Sequence, residues 1–439
     1  MSQIDAPPRQ RIIAPDIARG LALFGIAWAN LSTAWAVVPA EVRGAGFGGV
    51  GPFGFLDEVA VVLSAMFAHV RGLPMFTTLL GFGIGLIALS LARRGYPQRE
   101  IKKALAKREI KKALAKRYGW LAAFGALHAV FLFFGDIMFT YGVLAMIVIL
   151  LLGRSDRTLL RTAGVIWLAI TVVTIVVGAL VPAEYLGQDL GQLLPDFPHY
   201  PFYVLFGAGW LLITAASLPM TALSLLPVML VGFVAARQGV HLHIDRYRRV
   251  LWAAVAVTVL VILGVGLPMG LAALGILPGE WSSMLMILNQ VFGVLTGPGI
   301  AAAILLACEP LEKRRRAGAT LALPLRMVAA LGKRSMSGYL AQSVLFLIIC
   351  LPFTLGVGKE IGAFGQFLLA LSVWSVTLGL AWALELAGRP GPFEQLHRRL
   401  SYGRDGLPQQ WPEREIIEER LPAPAQRASA SMVPERPER

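Results

Sequence analysis

Ten apolar segments recur along the chain, and each approaches the length of about 20 mostly apolar residues that a membrane-spanning helix needs. They account for a composition in which 56% of the residues are hydrophobic and only 15% are charged. Such proportions exclude an ordinary water-soluble domain. The sequence therefore predicts an all-α, polytopic membrane helical bundle of about ten transmembrane helices, covering residues 17–38, 72–92, 118–134, 137–152, 162–182, 217–236, 250–272, 284–307, 336–355 and 363–387.

Two pairs of apolar stretches need a separate interpretation. Segments 118–134 and 137–152 are short, and they can act as spans only as a helical hairpin whose tight turn is Gly135-Asp136. Stretches 53–70 and 202–215 precede spans with too little charge between them to indicate separate crossings. We expect these two to be interfacial or re-entrant.

The distribution of charge predicts the orientation of the bundle, because cytoplasmic loops of membrane proteins carry an excess of Lys and Arg. The segment 93–117 holds eleven Lys or Arg against Glu100 and Glu109, whereas the loops 39–58 and 183–201 are acidic. Ten crossings with both termini in the cytoplasm place every basic loop in the cytoplasm and every acidic loop outside. The net charge of +14 then indicates topology and contact with anionic phospholipids of the bilayer. A nucleic-acid partner is not expected, because no basic and aromatic binding element accompanies the charge.

The basic segment 93–117 contains an internal duplication. Its nine residues REIKKALAK, 99–107, recur without change at 108–116. We interpret 93–117 as a cytoplasmic loop in which the duplication is either tolerated or forms a phospholipid-binding arm. The membrane domain covers 1–403, and the polar tail 404–439, rich in Pro, Ala and Ser, is predicted to be disordered and cytoplasmic.

Polar residues inside the apolar segments form an outer set. An ionisable group within a membrane is costly, so it suggests function by default. His128 lies about 9 Å from the outer end of its helix, and Asp136 lies in the turn of the hairpin. A histidine oriented by a carboxylate is a usable general base, and Asn30, Tyr141 and Arg71 are candidates for lining the same pocket. The alternatives are an interhelical hydrogen bond for the histidine and an ordinary Gly-Asp turn.

A second set lies at the inner face. Asp16 and Arg19 enter the first span, Tyr339 and Gln342 enter the ninth, and Arg398 follows the tenth. An arginine pairs well with phosphate, which predicts a pocket for an anionic donor head group. Asp16 and Arg19 can instead neutralise each other, since residues three apart are helical neighbours. The two cysteines lie at different depths and no zinc spacing occurs, so no metal site is predicted.

Five blocks of the sequence resemble the YeiB-like family of bacterial inner-membrane proteins, which are largely uncharacterised. The blocks span residues 11–403 and read RIIAPDIARGLALFGIAWANL, TLLGFGIG, GALHAVFLFFGDIMFTYGVLAMI, GKRSMSGYLAQSVL and GPFEQLHRRLSYG. The resemblance implies a many-span bundle in the bacterial plasma membrane, distantly similar to membrane acyltransferases of the acyltransferase-3 and heparan-glucosaminide acetyltransferase types. Carried over by position, the family pattern covers Asp16, Arg19, Gly20, Asn30, His128, Gly135, Asp136, Tyr141, Tyr339, Gln342, Ser343, Glu394 and Arg398. The family usually has a basic, aromatic, basic run just before the helix that contains TLLGFGIG. This chain has Leu73-Pro74-Met75 at that place, with Arg71 two residues earlier.

The leading hypothesis is a transmembrane acyltransferase. An acyl-CoA would act as donor substrate at the inner set, with no tightly bound cofactor. The acceptor would be a small molecule, glycan or lipid in the outer pocket, with His128 as general base, Asp136 as its orienting group, and Asn30 or Tyr141 as oxyanion donor. A proton-coupled transporter of a small amphiphile is the main rival, although the sequence has no Pro-broken pair of spans at matching positions. A non-catalytic membrane scaffold is the third alternative.

Overall fold

The computed structural model describes residues 12–39, 41–93, 100–180, 195–359 and 361–404, and within these ranges the chain is helical and contains no β-strand. The all-α class is therefore confirmed. The helices are α1 (Ala14–Asn30), α2 (Phe55–Leu63), α3 (Gly72–Arg93), α4 (Glu100–Phe131), α5 (Met138–Leu150), α6 (Asp156–Leu180), α7 (Tyr200–Arg237), α8 (Ile244–Val261), α9 (Leu267–Ala273), α10 (Glu280–Gly293), α11 (Thr296–Arg316), α12 (Leu323–Lys333), α13 (Ser335–Cys350), α14 (Ala363–Leu386) and α15 (Pro392–Tyr402).

Five helical segments in the described part of the chain are long and apolar enough to cross a membrane, or six if one bent pair of helices counts as a single span. The pair is α10 and α11, which meet at 54°. α5 and α13 are apolar but shorter. The five segments are Phe55–Ala92, Asp156–Gly178, Tyr200–Arg237, Ile244–Ala273 and Ala363–Leu386.

The prediction of a separate interfacial stretch at 202–215 is wrong. This stretch is the first half of α7, one continuous helix of 38 residues that contains Pro219 and Pro227. At 1.5 Å per residue α7 is about 57 Å long, which exceeds the apolar thickness of a bilayer of about 30 Å. Proline is more frequent in membrane-spanning helices than in soluble ones, so Pro219 and Pro227 are compatible with one continuous apolar helix.

The basic segment predicted to be a cytoplasmic loop at 93–117 is helical in its described part, and its side of the membrane stays a prediction. From Glu100 the chain is helical without interruption to Phe131, since Ala, Leu, Lys and Glu are all strong helix formers. In the second copy of the duplicated sequence, Ile110 and Leu114 lie one turn apart and are buried in the main hydrophobic core. The second copy is thus part of the packed bundle, and residues 94–99 lie outside the described ranges.

Two predicted segments are interrupted helices, of which the first was predicted to be interfacial or re-entrant and the second a simple span. The stretch 53–70 forms α2 and a π-helix over Ser64–Ala68 that leads into α3. The predicted span 284–307 starts earlier, at Glu280, and is broken between α10 and α11. The basic stretch 309–334 contains the end of α11 and all of α12. Hydrophobicity alone does not show where a helix is interrupted, so the apolar pattern could not predict these breaks.

α12 packs closely against α1. A side chain at Gly332 would overlap the Asp16 carbonyl, and one at Gly20 would overlap the Val328 carbonyl. At its other end α1 passes into a π-helix, Leu31–Trp35, whose Trp35 stacks on Phe133 of the α4–α5 hairpin at 4.8 Å between ring centroids. α1 therefore connects the two predicted polar sets. Residues 405–439 of the predicted tail lie outside the described ranges.

Candidate functional site

The turn between α4 and α5 fixes the position of Asp136. The Leu132 and Phe133 N–H groups both donate to the His128 carbonyl, and the Asp136 N–H donates to the Phe133 carbonyl at 3.0 Å. Asp136 Oδ2 accepts a hydrogen bond from the Phe139 N–H at 2.8 Å. Because this bond satisfies a free N–H in the first turn of α5, the carboxylate acts as a helix cap as well as a polar group.

His128 and Asp136 form a hydrogen-bonded, buried pair. His128 Nδ1 lies 2.8 Å from Asp136 Oδ1, and both side chains are almost fully enclosed. The other ring nitrogen, Nε2, is buried and has no hydrogen-bond partner among the described residues. A carboxylate on Nδ1–H keeps the imidazole in the tautomer whose Nε2 is free to accept a proton. This is the arrangement of a base with its orienting group.

Tyr339 lies beside this pair, although its sequence position suggested the inner set. Its ring centroid is 5.0 Å from that of His128, and its buried hydroxyl makes no hydrogen bond of acceptable geometry. α13 is only about 24 Å long, so its first turns reach the level of the buried histidine. Gln342, also expected at the inner face, is buried, and its side-chain amide donates weakly to Thr377 of α14 at 3.5 Å.

Tyr141 and Asn30 make no described hydrogen bond to His128 or Asp136, although Tyr141 lies close enough to Asp136 to interact with its charge. The Tyr141 hydroxyl donates to the Leu73 carbonyl at 3.0 Å and accepts from Thr77 Oγ1 at 3.2 Å, so it is already engaged with α3. Its ring stacks on Phe76. Asn30 is half-buried at the end of α1, and no described hydrogen bond joins it to His128 or Asp136. Tyr141 therefore positions α5 against α3.

Arg71 is buried between several helices. Its guanidinium donates to the Met66 carbonyl at 3.1 Å, to the Val70 carbonyl at 3.2 Å and to Asn289 Oδ1 at 2.8 Å. Asn289 was not identified from the sequence; the only signal for it is an Asn-Gln pair inside an apolar segment. No carboxylate of the described residues forms an ion pair with Arg71.

The inner set is only partly assembled. Asp16 is buried and lies 3.4 Å from Arg19, one helical turn away. Arg398 is exposed on α15. Arg334, which sequence reasoning missed, pairs with Glu385 at 2.6 Å and donates to the Arg389 carbonyl.

An apolar groove, also missed from the sequence, lies between α1, α3, α7, α8 and α11. It encloses a cavity of about 240 Å³, and Ala18, Leu79, Phe82, Leu251 and Ala301 are among its lining residues. A smaller, charged cavity adjoins it and shares the lining residues Ala14, His241 and Leu305. Asp245, Glu309, Glu312 and Lys313 line this charged mouth. An apolar groove with a charged mouth fits a molecule that has one alkyl chain and one polar head.

Comparison with protein-family models gives a match for part of the chain. Residues 235–404 match a family model described as a protein of unknown function (DUF418), and the YeiB family is the DUF418 family. No curated protein sequence matches the chain. The matched region contains α8 to α15, and thus Asn289, Arg334 and Tyr339, while the His128–Asp136 pair precedes it. The match agrees with the resemblance of the five sequence blocks, and residues 235–404 of the chain are similar to the DUF418 (YeiB-like) family.

Proposed function

We propose that this protein is a transmembrane acyltransferase that moves an acyl group from a cytoplasmic acyl thioester to an envelope or exported acceptor. The observation that supports the proposal most directly is the buried His128–Asp136 pair, with Nδ1 and Oδ1 2.8 Å apart and Nε2 without a partner. A proton acceptor held in one tautomer is what activation of a hydroxyl or amine needs.

In the proposed reaction His128 Nε2 takes the proton of the acceptor hydroxyl or amine as its oxygen or nitrogen attacks the thioester carbonyl. The bond from acceptor to acyl carbon forms and the carbon–sulfur bond breaks. The departing thiolate then takes the proton from the imidazolium. Asp136 stabilises the transient positive charge of the ring. Tyr339 is a better candidate than Tyr141 for the oxyanion donor, because its hydroxyl makes no hydrogen bond of acceptable geometry, whereas that of Tyr141 donates to the Leu73 carbonyl.

The apolar groove supports the donor half of the proposal. Its walls include Ala14 and Ala18, which lie on the same turns of α1 as Asp16 and Arg19. We infer that the acyl chain of the donor occupies the groove, and that its polar head lies near the inner set. Ten crossings in a bacterial plasma membrane, with both termini and the basic segments cytoplasmic, complete the proposal, because the Lys and Arg excess lies on alternate loops.

The experiment uses purified protein in liposomes with labelled acetyl-CoA on the side of the basic loops. Water takes the place of the unidentified acceptor, so the products are acetate and free CoA, and the release of free CoA is followed. Wild type is expected to release CoA, and His128→Ala should reduce the rate by at least about 10²-fold, the usual contribution of a general base. His243→Ala is the matched control, since His243 is exposed and its ring contacts only the Gly239 carbonyl. Equal rates for wild type and His128→Ala would contradict the proposal.

A second function, proton-coupled transport of a small amphiphile, is favoured by a different observation. The interrupted helices α2–α3 and α10–α11 meet near the buried Arg71, and broken helices commonly form the substrate sites of transporters. Transport predicts flux driven by a proton gradient without any covalent product. Flux without CoA release would therefore favour it over acyl transfer.

A further inference from the structure

Arg71 lies where three helical segments lose their regular geometry. α2 passes into the π-helix Ser64–Ala68, after which the backbone turns, with Val70 at a φ of 57°. α8 passes into a second π-helix, Ile262–Gly266. α10 and α11 bend by 54° just after Asn289. π-turns and positive φ values at β-branched residues are costly and cluster at functional sites.

The guanidinium at this point is not fully satisfied. Arg71 and Asn289 are 1% and 0% exposed, yet Arg71 Nη2 and Asn289 Nδ2 have no hydrogen-bond partner among the described residues. The bond from Arg71 Nη1 to Asn289 Oδ1 fixes the orientation of the amide, so that its Nδ2 is a donor. Two unpaired donors thus belong to two hydrogen-bonded side chains, and the buried Ser64 hydroxyl also lacks a partner.

Two glycines keep space for the guanidinium. A Cβ atom at Gly266 would lie 3.2 Å from Arg71 Nη2, and one at Gly293 would lie 2.9 Å from Arg71 Nη1. Glycine at these positions lets the π-helix and the end of α10 approach the charged group closely.

A buried charge without a counter-ion is strongly destabilising, so such groups are paired in folded proteins. No carboxylate of the described residues pairs with Arg71, and the side-chain partner that it does have is a neutral amide. An anionic group from outside the protein that accepted hydrogen bonds from both donors would compensate this charge and both unpaired N–H groups.

We propose that Arg71 and Asn289 form a binding site for one oxyanion head group, a carboxylate or a phosphate. The inference deepens the proposed function, because it assigns an anionic group to the acceptor, or to the cargo of a transporter. It concerns binding alone and does not depend on whether transfer follows.

The test measures the thermal unfolding midpoint of the full chain in a non-ionic detergent with added hexanoate or hexyl phosphate, and with hexanol and hexylamine as controls. Wild type should be stabilised increasingly with the concentration of at least one anion, and not by the neutral or cationic probe. A response to hexanoate alone identifies a carboxylate, and a response to hexyl phosphate alone identifies a phosphate.

Two variants separate binding from a structural role. Arg71→Met should raise the anion concentration needed for the half-maximal shift by at least about tenfold. Without probe it should unfold at or above the wild-type temperature, since an uncompensated charge is removed. Arg334→Met is the matched control, because that buried arginine is paired with Glu385. It should lower the midpoint without probe and keep the anion response.

Asn289→Leu is a second route to the same result and should weaken the anion response without changing any charge. Absence of stabilisation of wild type by either anion would overturn the proposal, as would an unchanged response in both Arg71→Met and Asn289→Leu. The CoA-release assay needs no anionic acceptor probe, so failure of acyl transfer and failure of this site are distinguishable.

Discussion

Asp136 illustrates how one residue can serve the fold and the site together. One carboxylate oxygen contacts His128 Nδ1, and the other accepts the Phe139 N–H at the start of α5. The same bond that begins the helix therefore holds the carboxylate that orients the imidazole. Loss of the capping role and loss of the orienting role are separable by substitution.

We predict that Asp136→Asn keeps the fold but loses His128-dependent activity. The asparagine oxygen can still accept the Phe139 N–H, whereas its NH₂ would donate to Nδ1 and force the proton onto Nε2. The rate of CoA release should then fall by at least about 10²-fold with little change in the unfolding midpoint.

Asp136→Ala is the comparison, and it should also destabilise by about 1 kcal/mol through loss of the helix cap. A thermal melt and the release assay on both variants provide the measurements. An Asp136→Asn variant that is as active as wild type would show that the tautomer is unimportant.

At the residue scale, sequence could predict only what local geometry brings together. His128 and Asp136 are eight positions apart across a predicted hairpin turn, and the structure joins them at 2.8 Å. Arg71 and Asn289 are 218 positions apart, and their contact depends on how the interrupted helices pack. Tyr339 reaches His128 because α13 is short, a property that its apolar pattern did not reveal.

At the scale of elements, close helix packing depends on glycine. α3 presents Gly81 to the backbone of α7 at Met229, and Gly85 to Phe233 and Ala236, while α7 presents Gly232 to Thr78. Such small residues let two backbones approach without lipid between them. The GFGIG sequence at 81–85 is therefore a packing surface in this structure.

We predict opposite effects for two glycine substitutions in these helices. Gly81→Ala would overlap the Met229 carbonyl and should lower the free energy of unfolding by about 1–3 kcal/mol. Gly209→Ala in α7 meets open space and should leave stability unchanged or raise it by up to about 1 kcal/mol, as helix propensity favours alanine. Thermal unfolding in detergent measures both, and equal losses would contradict the packing argument.

The docking of α15 should depend on pH. His397 Nε2 lies 2.8 Å from the Arg117 carbonyl, and burial, followed by the positive charge of Arg117, lowers the His397 pKa to about 4. Histidine in an undocked helix titrates near 6.5. As the pH falls, His397 is protonated in the undocked helix before it is protonated in the docked helix. The free energy that favours docking of α15 therefore decreases between about pH 6.5 and pH 4, by on the order of 1 kcal/mol per pH unit.

Hydrogen exchange of Pro392–Tyr402, corrected for the intrinsic rate, measures this effect at pH 7.5 and pH 5. Protection in wild type should decrease on acidification. His397→Gln keeps a donor for the Arg117 carbonyl but cannot titrate, so its protection should change less. The same protection in wild type at both values would contradict a titrating histidine.

The predicted elements were most accurate where one apolar run is one uninterrupted helix. The predicted span 363–387 corresponds closely to α14, Ala363–Leu386. Apolar composition could not distinguish a separate interfacial stretch from the first half of α7. Nor could it locate the bend between α10 and α11, because the chain on both sides of the bend is equally apolar.

On the scale of the whole molecule, the His128–Asp136 pair and the Arg71 site share one structural support. The Leu73 carbonyl, two residues after Arg71, accepts the Tyr141 hydroxyl of α5, the helix that Asp136 caps. The first turn of α3 is thus fixed to the hairpin on one side and to Arg71 on the other.

The orientation of this arrangement in the membrane is the last prediction. Loops rich in Lys and Arg stay in the cytoplasm, so the exposed residue Arg316 at the end of α11 should lie inside, and the exposed residues Glu41 and Ile276 outside. Single cysteines at these three positions, with Cys308 and Cys350 replaced by alanine, would be treated with a membrane-impermeant maleimide in intact cells. Glu41→Cys and Ile276→Cys should react at once, and Arg316→Cys only after permeabilisation.

Ile276 and Arg316 flank the bent pair α10–α11, so this comparison also decides whether the pair is one broken span or a re-entrant loop. Labelling from opposite sides means that the bend lies within one membrane crossing. Asn289, the hydrogen-bond partner of Arg71, would then belong to a membrane-spanning segment. Labelling of both from the same side would make the pair re-entrant and would contradict the proposed ten crossings.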